Sequence, residues 1–307
     1  MNQQVYTTDY PYYQAPFLTY NVAQSAVIPF LDQDLNLVIS FRTAVGKTVL
    51  AEGAFAYHLA SSESSKVAYV SPYRSLSGEK HQDWSSNLQL SNYGILLSTG
   101  DHMAKPGDWA SKRLAVITTE SFDSKTRNKR YEDWVNRISC VVFDEAHLLG
   151  TSGRGAAMEA AMMRFSEMNP SARLILLSAT MSNGREIARW TKSLNGKKTK
   201  FIQSDWRPNN IDVSLHVVDD GFESKVDKAV EIGTKATFSE KVLIFVHSKT
   251  VGNEIKKRIK GNGMKCAFHN ASLSSAQRGK IENMFGDISS GLNVLVSTST
   301  LGAGVNI

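Results

Sequence analysis

Cysteine is nearly absent from this sequence: 307 residues hold two, Cys140 and Cys266, far apart and each among apolar neighbours. Two such residues build no disulfide framework, and no paired-cysteine metal spacing exists. They read as buried core thiols in a reducing compartment. A secretory leader is not expected either, because the opening MNQQVYTTDYPYYQAP has no basic region leading into an apolar stretch. No apolar run approaches the roughly 18 residues needed to span a membrane, so a soluble intracellular protein without a membrane partner is expected. The charge excess is small: 35 Lys and Arg against 29 Asp and Glu leave +6. That is a weak lean toward polyanionic partners, which an ordinary basic surface explains equally well. Low-complexity tracts and short-period repeats are lacking too. What is there, 42% hydrophobic and 21% charged residues, suffices for ordinary packed cores. The length suggests two domains at roughly 100–200 residues each.

Apolar runs rich in Val, Ile and Leu are plentiful. LNLVIS from Leu35, KVAYVS from Lys66, LAVITT from Leu114, ISCVVF from Ile138 and RLILLSA from Arg173 read as buried parallel strands. Helical patterns such as KTVLAEGAFAYHLA, SLSGEKHQDWSSNLQL and RGAAMEAAMMRFSEM separate most of them. This alternation gives βαβ units and a doubly wound parallel sheet. After SDWRPNN from Ser204, which reads as a linker, a second series follows. Its strands are VSLHVV from Val213, KVLIFVHS from Lys241, KCAFHN from Lys265 and LNVLVST from Leu292, with helical stretches VGNEIKKRIKG and SSAQRGKIENMFG between them. The expectation is an α/β protein with two parallel-sheet domains in tandem, residues 1–206 and 207–307. The second series stops on STSTLGAGVNI, straight after a strand and its loop, so the second domain is expected to be incomplete.

Two stretches carry chemistry. VISFRTAVGKTVLAEGAF from Val38 places Gly46, Lys47 and Thr48 between an apolar run and a helical pattern. That is the setting of a phosphate-binding loop, G-x-x-x-x-G-K-[ST], although Phe41 stands where the first glycine belongs. Backbone N–H groups and the helix start would cradle phosphates. Lys47 would reach the terminal ones, and the Thr48 hydroxyl would hold Mg2+. The tripeptide also fits a capped strand-to-helix turn with a surface lysine. CVVFDEAHLLG from Cys140 delivers Asp144 and Glu145 to the end of an apolar strand, where open α/β sheets bind ligands. Asp144 is placed to hold Mg2+, directly or through water, and Glu145 to activate an attacking water. Alternatively, the two acids simply favour the dipole of a helix start.

Asp144-Glu145-Ala146-His147 behind a strand resembles the second motif of superfamily 2 helicases. The surrounding residues resemble the Ski-like branch, with its archaeal repair helicases and superkiller RNA helicases. Thr43, Ala44, Val45, Gly46, Lys47, Thr48 and Val49 match that family's first, ATP-binding motif, with Phe41 a mild departure. YNVAQSAVIPF resembles the upstream glutamine motif, which implies that the Gln24 amide reads adenine; a polar residue on an amphipathic helix is the other reading. VSPYRSLSGEK resembles motif Ia and implies that Pro72 and Arg74 lie near the nucleic-acid backbone. LLSTGD, ending at Asp101, and VITTESFDS resemble the next two motifs. They imply that Thr118, Thr119 and Glu120 close on the same backbone through hydroxyls, amides and a helix start, although such turns are also ordinary caps. LLSATMSN resembles the third motif, and Ser178 and Thr180, with His147, are implied to couple the phosphate site to the other domain. VLIFVHSK resembles motif IV and implies phosphate contacts by His247 and Ser248, where a strand-end histidine is the plainer reading. VSTSTLGAGVNI resembles motif V, with Thr298 at the nucleic acid and Gly302 and Gly304 in coupling.

The resemblance runs from Gln24 to Ile307. It implies two RecA-like domains, the second truncated, with ATP and Mg2+ as cofactors. It also implies single-stranded or partly duplex DNA or RNA as partner, in the cytoplasm, nucleoid or nucleus. The sixth motif, which brings arginines to the γ-phosphate, is not found; a further segment or a partner protein would supply them. Two functions stand side by side: an ATP-dependent helicase or translocase core, and a module that holds ATP or nucleic acid but turns over poorly. A structural α/β protein without nucleotide is the third.

Overall fold

Leu37, Val38, Ile39 and Phe41 are fully buried in the strand β1 (Asn36–Phe41), and each such side chain contributes roughly 1.5–3 kcal/mol over leaving it exposed. Burial on both faces marks an interior strand of a parallel sheet. In the computed structural model, which describes residues 5–219, 221–235, 237 and 240–301, the chain divides into two units, Met1–Asn210 and Ile211–Ile307. In the first unit β1 is joined by β2 (Lys66–Ser71), β3 (Ile95–Ser98), β4 (Leu114–Thr118), β5 (Ile138–Phe143), β6 (Arg173–Ser178) and β7 (Thr199–Ser204). All pair in parallel, in the order β3-β4-β2-β5-β6-β1-β7. α1 (Val22–Ser25) precedes β1, and between the strands run α2 (Lys47–Ser61), α3 (Arg74–Ser86), α4 (Leu88–Ser91), α5 (Pro106–Ser111), α6 (Thr119–Thr126), α7 (Glu132–Asn136), α8 (Arg154–Met168) and α9 (Gly184–Asn195).

Alternation along the strands divides the core in two. Leu37, Ile39 and Phe41 pack with Leu50, Ala54 and Phe55 of α2 on one face. Val38 packs with Phe143, Met158, Phe165 and Leu176 on the other. Both cysteines are buried and free, as their apolar settings imply. Among the described residues no helix is long and apolar enough to cross a membrane.

Three local readings change. The edge strands β3 and β7 are additional, because a short ILLS and a half-exposed, alternating TKFIQS carry little apolar signal. The helical stretch expected from Ser75 to Leu90 breaks at Asn87, whose side chain accepts the N–H groups of Gln89 and Leu90 and so starts α4. VSLHVV forms no strand among the described residues: Val213, Leu215 and Val217 are 88%, 90% and 90% exposed. Its alternation is sound, but alternation makes a strand only where a ladder partner and an apolar cover exist.

The second unit holds β8 (Val242–Phe245), β9 (Cys266–His269) and β10 (Val294–Ser297), parallel in the order β8-β10-β9. Its helices are α10 (Phe222–Thr234), α11 (Lys249–Gly261) and α12 (Ser275–Gly286). Val226, Ile255, Ile259, Phe268, Val294 and Val296 form its core.

Candidate functional site

The chain leaves β1 at Phe41 and enters α2 at Lys47 through a loop with two left-handed residues, Ala44 at φ 63° and Gly46 at φ 80°. Gly46 is required on two counts: its φ, and the Gln24 Nε2 that would lie 2.6 Å from any Cβ. The backbone N–H groups of Thr43, Ala44, Val45 and Gly46 donate to no protein acceptor among the described residues. Followed by the first turn of α2, they form a concavity suited to an anion. Val45 is buried, Thr43 and Ala44 are exposed, and Lys47, Thr48 and Val49 are half-buried. Lys47 Nζ donates to the carbonyls of Phe41 and Arg42, each at 3.2 Å. Burial lowers its pKa, while the carboxylates of Asp144 and Glu145 oppose that. Lys47 therefore lies in the field of both acids.

Asp144 follows β5, and its N–H continues the ladder to Val70 O at 2.9 Å. One carboxylate oxygen accepts the Tyr69 hydroxyl, and the other accepts the Glu145 N–H at 2.8 Å. Glu145 is left-handed, φ 56°. Burial pushes its carboxyl above the usual range, the Asp144 charge adds to the push, and Lys47 works against it. His147 Nδ1 stands 3.2 Å from Glu145 Oε2. Burial lowers the imidazole pKa, and Lys47 lowers it further against the pull of Asp144. Sheet order explains the convergence. β6 lies between β1 and β5, with Ser40 level with Ser178 and Phe143 level with Leu176. The loop after β1 and the acids after β5 thus emerge at the same carboxyl edge. A carboxylate and a hydroxyl there, Asp144 and Thr48, are hard oxygen donors. They suit a Mg2+ that takes its other ligands from phosphates and water.

The remaining candidates fall less uniformly. The Gln24 amide is engaged within the protein: Oε1 accepts the Asn21 N–H at 3.1 Å and Nε2 donates to Gly46 O at 3.2 Å. Asn21, which sequence reasoning passed over, also donates to Val45 O at 3.0 Å. Pro72 is buried; Arg74 is exposed and holds Asp101 through two bonds of 2.8 and 2.9 Å. Thr118 and Thr119 are buried, and Thr119 Oγ1 has no hydrogen-bond partner among the described residues. Both threonines stand at the end of β4 and the start of α6, and Glu120 beside them is exposed. Ser178 is buried and donates to Ala179 O at 2.7 Å, while Thr180 is exposed. In the second unit His247 is exposed, Ser248 caps α11 by accepting the Thr250 N–H at 3.1 Å, and Thr298 is half-buried with its N–H on His269 O at 3.1 Å. Gly302 and Gly304 lie outside the described residues. Tyr69 was likewise missed. Its only sequence signal is a tyrosine in an apolar run, and which strand faces it is not written there.

A phosphate loop and an acid pair at one edge of a doubly wound sheet, followed by a second parallel-sheet unit, define the tandem RecA-like class. The chain belongs to the DEAD/DEAH box helicases, whose family model matches residues 21–188; the helicase conserved C-terminal domain matches residues 224–307. Its relatives place it in the Ski-like branch of superfamily 2. It is 29% identical to the ATP-dependent DNA helicase Hel308 of Thermoplasma volcanium over 303 residues, covering 89% of this chain and 43% of that protein. It is 34% identical to Hel308 of Methanocaldococcus jannaschii over 182 residues, 58% of this chain and 14% of that one. It is 29% identical to the ATP-dependent DNA helicase MER3 of Saccharomyces cerevisiae, over 95% of this chain and 27% of that protein. The chain thus spans less than half the length of these curated relatives. In fold it is similar to the helicase MrfA bound to DNA and AMPPNP, with a TM-score of 0.73 at 15% identity, covering 94% of this chain and 43% of MrfA.

Proposed function

We propose that this chain is the ATP-hydrolysing motor core of a DNA helicase, gripping single-stranded DNA along its backbone. One observation carries the reading: the loop after β1, with its unengaged N–H groups and Lys47, and the acids after β5 emerge at the same carboxyl edge of the sheet, with only β6 between the two strands. The N–H groups of Thr43 to Gly46 and the start of α2 receive the phosphates, and Lys47 takes the terminal ones. Thr48 and Asp144 hold Mg2+, which neutralises charge on the phosphates when bound. Glu145 orients the attacking water and accepts its proton. The Gln24 amide, held beside the loop by its bond to Gly46 O, reads adenine. His147, Ser178, Thr180, Gly302 and Gly304 couple the phosphate site to the grip on nucleic acid. That grip falls to Arg74, Glu120, His247, Ser248 and Thr298 with the main chain at Pro72, Thr118 and Thr119. The choice of DNA follows the names of the Hel308 and MER3 relatives.

The test is steady-state ATP turnover by this chain with and without single-stranded DNA. DNA should stimulate turnover, and Lys47→Ala should lower it by about 10²–10³-fold, the loss typical of one electrostatic donor at a reacting centre. Wild type and Lys47→Ala that are equally inert in both conditions sink the proposal.

A further inference from the structure

We infer that Tyr69 is a positioning residue for the acidic pair, its hydroxyl fixing the carboxylate of Asp144. The inference rests on the proposed role of Asp144 at Mg2+. Tyr69 lies within β2, which pairs with β5 through Tyr69↔Val142 and Val70↔Phe143. Side chains alternate along a strand, so Tyr69 projects from the same face as Val142 and, two residues on, Asp144. The bond from the Asp144 N–H to Val70 O carries that alternation one residue past β5. Tyr69 is fully buried and donates its hydroxyl to Oδ2 of Asp144. The Glu145 N–H serves Oδ1 at 2.8 Å. Each oxygen therefore has one lone-pair direction occupied and one left for a ligand, and the group cannot rotate without breaking both bonds.

The tyrosine is itself held. Its ring meets Trp84 edge-on, centroids 5.1 Å apart at 83°. Trp84 Nε1 donates to Glu52 Oε1 at 2.6 Å, and Tyr13 donates its hydroxyl to Glu52 Oε2 at 2.7 Å. Glu52 stands on α2, the helix that carries Lys47 and Thr48. One buried network thus ties the metal-facing carboxylate to the helix of the phosphate loop. Packing alone would require only the ring; the hydroxyl is placed on the carboxylate.

Tyr69→Phe keeps the ring and removes the donor. Binding of a fluorescent ADP to the full chain is measured in EDTA and across a Mg2+ titration. Affinity in EDTA should be retained, while the Mg2+ needed for half-maximal tightening rises about 10–100-fold, the usual cost of losing an outer-shell partner of a metal ligand. In an Asp144→Asn background, Tyr69→Phe should add no further loss. The inference is overturned if Y69F responds to Mg2+ as wild type does, or if it loses affinity equally in EDTA and Mg2+. It is also overturned if the variant fails to fold with ADP and Mg2+ present, because the hydroxyl then serves the core. A wild-type chain without Mg2+-dependent ADP binding defeats the proposed function itself, which separates the two failures.

Discussion

Glu145 sits in left-handed backbone at the junction between β5 and the turn Ala146–Leu148, a conformation that costs an L residue about 1–2 kcal/mol. Such strain persists where neighbours over-determine it, and it clusters at functional positions. Here the Asp144 carboxylate takes the Glu145 N–H, and His147 meets its side chain. Burial raises the Glu145 carboxyl, and Asp144 raises it further. A general base works only when ionised, so turnover is expected to fail on the acid side at higher pH than an exposed glutamate, near about 4.3, would set. Glu145→Gln should keep nucleotide binding and lower kcat by about 10²–10⁴-fold. A kcat–pH profile and an ADP titration of the variant check both. Lys47, Thr48, Asp144 and Glu145 could be singled out from sequence because the first two open the helix after a strand and its loop and the last two follow a strand end, and neither setting needs knowledge of the neighbouring strand. Tyr69 could not, because its partner is set by the order of β2 and β5 in the sheet.

At the scale of elements, α8 begins against the turn that follows the acidic motif. A Cβ at Gly155 would lie 2.1 Å from Leu148 O and 2.6 Å from Thr151 Oγ1. Gly155→Ala is therefore expected to push α8 off that turn and to destabilise the chain by about 1–3 kcal/mol, as overpacking does. Denaturant midpoints measure the loss. The interior strands were readable because their two-sided burial demands unbroken Val, Ile and Leu. Edge strands obey a weaker demand, which is why β3 and β7 escaped notice. The segment from Val213 shows the converse: its apolar alternation satisfies the local rule, and no ladder among the described residues receives it.

For the whole molecule the charge balance matters through particular pairs. An excess of +6 is modest, and Arg74, the exposed candidate for a phosphate, is already held by Asp101. A phosphate must compete with that carboxylate. Asp101→Asn is expected to tighten binding of a single-stranded oligonucleotide by up to about fivefold, the range of an exposed ion pair. The plot of log affinity against log salt should steepen by about 0.7 for each phosphate newly neutralised. Fluorescence anisotropy at several salt concentrations reads both. Sequence alone determined the two-unit α/β plan, the loop and the acid pair, because strand burial, helix starts and phosphate cradles depend on residues adjacent in the chain. Tertiary structure alone decided which strand lies beside which. It thereby joined Tyr69 to Asp144, turned Thr118 and Thr119 inward and set Asp101 on Arg74, since contacts between distant segments depend on sheet order and register, which local pattern does not encode.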